Sequence, residues 1–235
     1  MEVSSPPPTP SQVQNWCKRL EQIFVPAIAD VLDQMGVRDQ CLRAGFWPLL
    51  ENTTIAGPAF TVREVEAAAT QERSRDELLR IFAEFFGALG PDQVVMVNTG
   101  GCYAAAAWGE LMSTITRYTC GAKAAVIDGS VRDISRMLKI SFPVWYINRM
   151  PADSEGRLEL LEFNKPMLCG GVFVKPGDLV FADPDGVVVI PLDGPVDVEA
   201  LISRAEEIVA LEDKTRADLR AGMSVVDVFN KYGRL

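Results

Sequence analysis

The chain contains no histidine. That absence excludes a Ser-His-Asp or Cys-His relay and any His-rich zinc site within one chain. A metal here must be held by oxygen ligands, which favours Mg²⁺ or Mn²⁺ over zinc. A general base must be a carboxylate, a lysine, a tyrosine or a bound water. The five cysteines, Cys17, Cys41, Cys102, Cys120 and Cys169, are scattered and form no CxxC pair, so neither a zinc knuckle nor a disulfide framework is indicated. No apolar run approaches the ~20 residues of a membrane span, and no basic-then-apolar leader is present. A reducing cytoplasm without a membrane partner is the expected setting. Runs of Lys and Arg are also missing, and the net charge of -9 argues against nucleic acid as a direct partner. A small acidic substrate is still allowed, because one local arginine can outweigh a diffuse field.

What is present is a chain of 235 residues, 48% hydrophobic and 23% charged, enough for one well-buried core. The Pro- and Ser-rich residues 1–10 read as a disordered tail, and residues 11–235 as a single domain. Ser11 suits the N-cap of a helix through Phe24, and Pro26 opens a second that stops at Gly36. Gly45 to Leu50 reads as a loop. Thr54 to Val65 has strand composition, interrupted at Gly57-Pro58. Between Ser74 and Leu89, apolar residues recur at helical spacing. Gln93 to Asn98 and Phe142 to Ile147 are further short apolar strands. Gly170 to Pro191 holds PGD and PDG turns between valine-rich runs, which predicts hairpins, and a charged helix follows over Val198 to Ala221. This order predicts an α/β fold with a mixed sheet flanked by helices.

The rest is arranged around AAVIDGSVRD, Ala124 to Asp133. Its first four residues read as a strand buried on both faces, ended by a tight turn at Asp128-Gly129. Arg132 and Asp133 then precede a helix, Ile134 to Ile140, and stand just past a strand end, where open α/β folds bind ligands. Guanidinium and carboxylate together suit an α-keto acid and a divalent metal. The pair reads equally as a capping carboxylate beside a solvated arginine. Upstream, a Gly100-Gly101 loop leads to Gly109-Glu110-Leu111-Met112. If a helix begins near Trp108, the backbone N–H groups of Glu110, Leu111 and Met112 are unpaired donors for a carboxylate, and Gly109 admits the ligand to the backbone. The alternative is one continuous core-facing helix over Ala104 to Thr119. Glu110 and Asp133 would share one sheet edge and one hydrated Mg²⁺.

The pieces GPAFTV (Gly57 to Val62), GG with AxWGEL (Gly100 to Leu111), VIDGSVRD (Val126 to Asp133), FPV (Phe142 to Val144), NKP with GGV (Asn164 to Val172) and PGDLVFADPDGVVVIP (Pro176 to Pro191) follow in order over Pro26 to Gly222. They resemble the RraA-like family, and within it the 4-hydroxy-4-methyl-2-oxoglutarate aldolase and oxaloacetate decarboxylase branch. The resemblance implies a swivelling β/β/α domain that forms trimers, or hexamers of trimers, with active sites between subunits. It implies a class II pyruvate aldolase in which Leu111 and Met112 offer amides to the pyruvate carboxylate and Arg132 contacts the keto acid. Glu110 and Asp133 would hold Mg²⁺ largely through water, and Glu212 of a neighbouring subunit would complete the site, with Glu206 and Glu207 as rivals. The family's other branch, an acidic trimeric regulator that binds an RNA-processing endonuclease, lacks the Asp of the RD pair, so Asp133 favours the enzyme. Three departures bear on substrate identity: Asn98 in place of Asp, no Asp-Asn step over Arg63 to Gln71, and the bulky Trp145-Tyr146 after FPV. Trp145 and Tyr146 otherwise read as core.

Overall fold

A computed structural model of the chain describes residues 7–68 and 74–233. In chain order the elements are α1 (Pro10–Leu20), α2 (Val25–Gln34), β1 (Trp47–Pro48), β2 (Ile55–Glu66), α3 (Arg75–Ala88), β3 (Val94–Asn98), β4 (Ala106–Trp108) and α4 (Glu110–Tyr118). There follow β5 (Ala124–Val131), α5 (Ile134–Ile140), β6 (Val144–Arg149), β7 (Leu158–Phe163), β8 (Met167–Cys169), β9 (Val172–Val174), β10 (Leu179–Asp183), β11 (Gly186–Ile190), α6 (Val198–Arg220) and α7 (Val225–Tyr232).

The mixed α/β sheet expected from the sequence is present. Its strand order is β1-β6-β5-β3-β2-β10-β11, with β4 added to β5 and β7 to β2. The centre, β2, β3, β5 and β6, is parallel, and β10 and β11 continue it as an antiparallel hairpin. One face of the parallel strands packs with α3, α4 and α5 around Phe60, Phe85, Trp108, Met137 and Phe142. The other carries Met96, Val126 and Trp145 against the β8-β9 hairpin and the loop at Leu42 and Phe46. A third cluster joins α1, α2 and α6 to β10 and β11. Among the described residues no helix is long and apolar enough to cross a membrane.

Several boundaries differ from those expected. Thr9, not Ser11, caps α1, because a Gln at the third helical position returns the bond in a capping box; the helix ends at Leu20, before Phe24. Pro26 lies in the first turn of α2 as expected, one residue after Val25 opens it, and the Gly45 to Leu50 loop contributes the two-residue β1. Gly57-Pro58 does not interrupt the strand: β2 runs through it, and the register shift lies at Arg63/Glu64 opposite β7. Gly57 is needed for space, since a Cβ there would lie 2.4 Å from the Asp92 carbonyl oxygen. β7, β8 and α7 were not anticipated. Residues 1–6 of the expected tail, and 69–71 of the Arg63 to Gln71 segment, lie outside the described residues.

Candidate active site

The central stretch forms a longer strand than its sequence implies. The Asp-Gly pair does not turn; β5 continues to Val131 and all eight of its residues are buried. The Asp128 carboxylate is satisfied from two other segments, accepting from Arg43 Nη2 at 2.5 Å and from the Gly170 N–H at 2.8 Å. Gly129 fits because a Cβ there would meet Thr99 Cγ2 at 2.6 Å. With the turn removed, Arg132 and Asp133 are carried to the edge where β4 also ends. The Arg132 N–H donates to the Trp108 carbonyl at 2.9 Å, which ties the two strand ends together.

Ala106–Trp108 is the strand β4, so the continuous helix over Ala104 to Thr119 is not formed. Helix α4 starts at Glu110, two residues later than a start at Trp108, with Gly109 as its N-cap. The glycine there answers to crowding. A Cβ at Gly109 would lie 2.8 Å from Asp133 Oδ2 and 3.3 Å from Arg132 Cγ. Asp133 has a left-handed backbone, φ 60°, and caps α5 without a side-chain bond to that helix. Its carboxylate turns instead to α4, where Oδ2 accepts from the Glu110 N–H at 3.3 Å. One of the three amides expected to be unpaired is therefore taken. The first intrahelical bond is Ser113 N–H to the Gly109 carbonyl, at 3.1 Å, which leaves the N–H groups of Leu111 and Met112 ahead of it. Leu111 is 71% exposed, so that end of the helix is open to a ligand.

Arg132 Nε lies 3.8 Å from Asp133 Oδ2, and Arg132 Nη1 lies 3.1 Å from Asp153 Oδ2. Asp153 was not anticipated. Partial burial opposes its ionisation, but the Glu155 N–H and the Arg132 guanidinium outweigh this and hold its carboxyl below the usual carboxylate range. The Glu110 side chain lies back along its own helix, where Oε1 accepts from Thr114 Oγ1 at 2.9 Å. Glu110 therefore meets Asp133 through its backbone.

Glu212 lies on α6, whose buried residues cluster with α1 and α2, apart from the α4–α5 face. Of its rivals, Glu206 is paired with Arg19 at 2.7 Å and Glu207 with Arg204 at 2.9 Å. Asn98 holds the loop that follows it: its Oδ1 accepts from the Gly100 N–H at 2.6 Å and its Nδ2 donates to the Leu168 carbonyl. Trp145 and Tyr146 are core, with Trp145 Nε1 donating to the Asp183 carbonyl at 2.9 Å. A second unanticipated acid is Glu64, whose Oε2 is buried without a hydrogen-bond partner among the described residues; burial pushes its carboxyl up to about 7. The only signal for it was a charge inside a strand.

Among the described residues no three Asp, Glu or Cys side chains gather tightly enough to hold a metal alone. The donor set still fits a magnesium ion, which binds through one or two carboxylates and keeps several waters for substrate oxygens to replace. Asp133 would be one such carboxylate, and Glu110 the other if its side chain leaves Thr114.

The fold and this edge define a class: α/β proteins with an arginine-aspartate pair facing a helix N-terminus. The family model described as RraA-like, Aldolase/RraA, matches residues 25–189, and the chain belongs to the RraA-like family. A protein of Halalkalibacterium halodurans, provisionally named a 4-hydroxy-4-methyl-2-oxoglutarate aldolase, is 34% identical over 164 residues, covering 70% of each chain. Protein DlpA of Legionella pneumophila is 23% identical over 87% of this chain, which spans only 32% of DlpA. The crystal structure of Streptomyces coelicolor RraAS2, an unusual member of the RNase ES inhibitor RraA family, superposes with a TM-score of 0.72 at 23% identity, covering 90% of this chain and 98% of that one.

Proposed function

We propose that the protein is a divalent-metal-dependent lyase that cleaves a 4-hydroxy-2-oxo acid such as 4-hydroxy-4-methyl-2-oxoglutarate, and decarboxylates oxaloacetate through the same pyruvate enolate. One observation carries the reading: Arg132, Asp133 and the open N-terminus of α4 meet at one sheet edge, with Asp133 3.3 Å from the Glu110 N–H. The named aldolase relative supports the lyase class.

The Leu111 and Met112 N–H groups, at the positive end of α4, would hold the substrate's C1 carboxylate. Arg132 would then face the 2-keto oxygen, where negative charge develops as the C3–C4 bond breaks and its electron pair enters the enolate. A site carboxylate accepts the C4 hydroxyl proton: Glu110, or Glu212 of a neighbouring subunit in a trimer or hexamer. Mg²⁺ or Mn²⁺, held by Asp133 and Glu110 largely through water, would supply Lewis-acid polarisation of the keto group. Oxaloacetate loses CO₂ from the same bond and leaves the same enolate, so one site serves both reactions.

The test is pyruvate release from a panel of 4-carboxy-2-oxo acids, with and without EDTA, by wild type and Asp133→Ala. Release that the chelator abolishes and that Asp133→Ala lowers by about 100-fold or more is expected. Release indifferent to both would remove the mechanism. A wild type that releases no pyruvate from any member of the panel would favour the alternative, a non-catalytic regulator that binds an RNA-processing endonuclease on the same fold.

A further inference from the structure

We propose that Asp153 is a positioning residue for Arg132, bracing one end of the guanidinium so that the remaining N–H edge is aimed at the keto acid. The inference rests on the reading of the site given above. It starts from where the chain goes after β6. That strand ends at Arg149, yet the Met150 N–H still donates to the Val131 carbonyl at 3.0 Å. Two residues later the Ala152 carbonyl accepts from the Ala106 N–H of β4 at 2.9 Å. The chain thus crosses the ends of β5 and β4, the two strands that lead into Arg132 and Gly109. It delivers Asp153 to their common edge from a third segment.

The carboxylate is set by its own turn before it meets the arginine. Asp153 Oδ1 accepts from the Glu155 N–H and the Ser154 hydroxyl, both at 3.4 Å. Arg157 Nη1 donates to the Asp153 carbonyl at 3.1 Å, and the Arg157 and Leu158 N–H groups both donate to the Ser154 carbonyl at 2.8 Å. Asp153 Oδ2 is then left for Arg132 Nη1 at 3.1 Å, while Arg132 Nε leans on Asp133 at 3.8 Å. Asp153 therefore engages Nη1 from a separate segment, with the neighbouring Asp133 carboxylate beside Nε, and Nη2 is assigned to the ligand.

An arginine side chain that is 35% exposed has many rotamers to lose on binding. Bracing it in advance removes that cost from the reaction, and misplacing such a group by about 1 Å can cost on the order of 100-fold in rate. Exposed ion pairs as such contribute little to stability, so the effect should be read in the chemistry rather than in folding. Asp153 touches Arg132 and moves no proton.

The experiment compares wild type, Asp153→Ala, Asp153→Glu, Arg132→Ala and the double variant Arg132→Ala/Asp153→Ala, all with Mg²⁺. Pyruvate release gives kcat and KM, and calorimetry gives the affinity for oxalate, a planar dianion shaped like pyruvate enolate. Asp153→Ala should lower kcat/KM by roughly 10- to 100-fold and weaken oxalate about 10-fold, with the melting temperature unchanged. Asp153→Glu should recover part of the loss, and the double variant should be no worse than Arg132→Ala. Wild-type kinetics and oxalate affinity in Asp153→Ala, or losses that add fully in the double variant, would overturn the inference alone. A wild type that neither releases pyruvate nor binds oxalate would instead overturn the functional reading, and this inference with it.

Discussion

Asp128 illustrates how a single carboxylate alters the meaning of a dipeptide. Asp-Gly after four apolar residues is turn chemistry, and local propensity alone would end the strand there. Arg43 and the Gly170 N–H, 85 and 42 residues away, satisfy both carboxylate oxygens, and the strand runs on. Arg132 and Asp133 were nominated as candidates by their types and adjacency. Asp153 was not, since nothing in the sequence says that a segment 20 residues on crosses back over the same strand end. Glu64 yields a prediction at this scale. Its carboxyl ionises near 7 in the folded protein, against an ordinary 4.5, because burial disfavours the charge. Below about pH 4.5 both folded and unfolded chains hold the proton; between there and about 7 only the folded chain does, so stability falls as pH rises. The full cost above pH 7 is about 3 kcal/mol. Urea unfolding of Glu64→Gln should therefore show a flatter stability profile than wild type between about pH 5 and pH 8. Parallel profiles would place the Glu64 carboxylate in contact with water.

The elements that were missed share a cause. β7 carries Leu158, Leu160, Leu161 and Phe163, an alternation broken by the register shift opposite Arg63/Glu64, and so it has no clean period of two. β8 is only three residues long, too short to show a period, and its pairing with β9 defines it. β4 was hidden in an alanine-rich passage that favours helix intrinsically; pairing with β5 overrides that preference and moves the start of α4 to Glu110. By contrast β3, α5 and α6 were legible, being strongly patterned or clearly capped. At this scale Arg19 links α1 to α6. It bonds Glu199 at 2.5 Å and Glu206 at 2.7 Å, and those bonds, Glu206's first, hold its guanidinium protonated well above the ordinary range. Arg19→Ala should cost roughly 1–2 kcal/mol in urea unfolding, less in high salt, because the three side chains are partly solvated. A salt-independent loss would assign the effect to packing.

For the whole molecule, the decisive matter is where α6 lies. Its buried face is spent on α1 and α2, apart from the α4–α5 edge, and in the proposed function Glu212 goes to that edge of a second copy. If Glu212 is the acceptor of the C4 hydroxyl proton, mixing Glu212→Ala with Asp133→Ala subunits, each strongly impaired alone, should restore about a quarter of the sites and hence of the activity when each site draws on two copies at random. No recovery on mixing would confine the site to one chain. The sequence by itself determined the α/β class and the family, and it brought Arg132, Asp133 and Gly109 forward as candidates. These are properties of residue type and local spacing. Only the tertiary structure decided that β5 passes through Asp-Gly, that Asp133 turns to the next helix rather than its own, and that Asp153 holds Arg132. Each of those depends on bonds between segments far apart in the chain, whose meeting is set by how the strands order in the sheet.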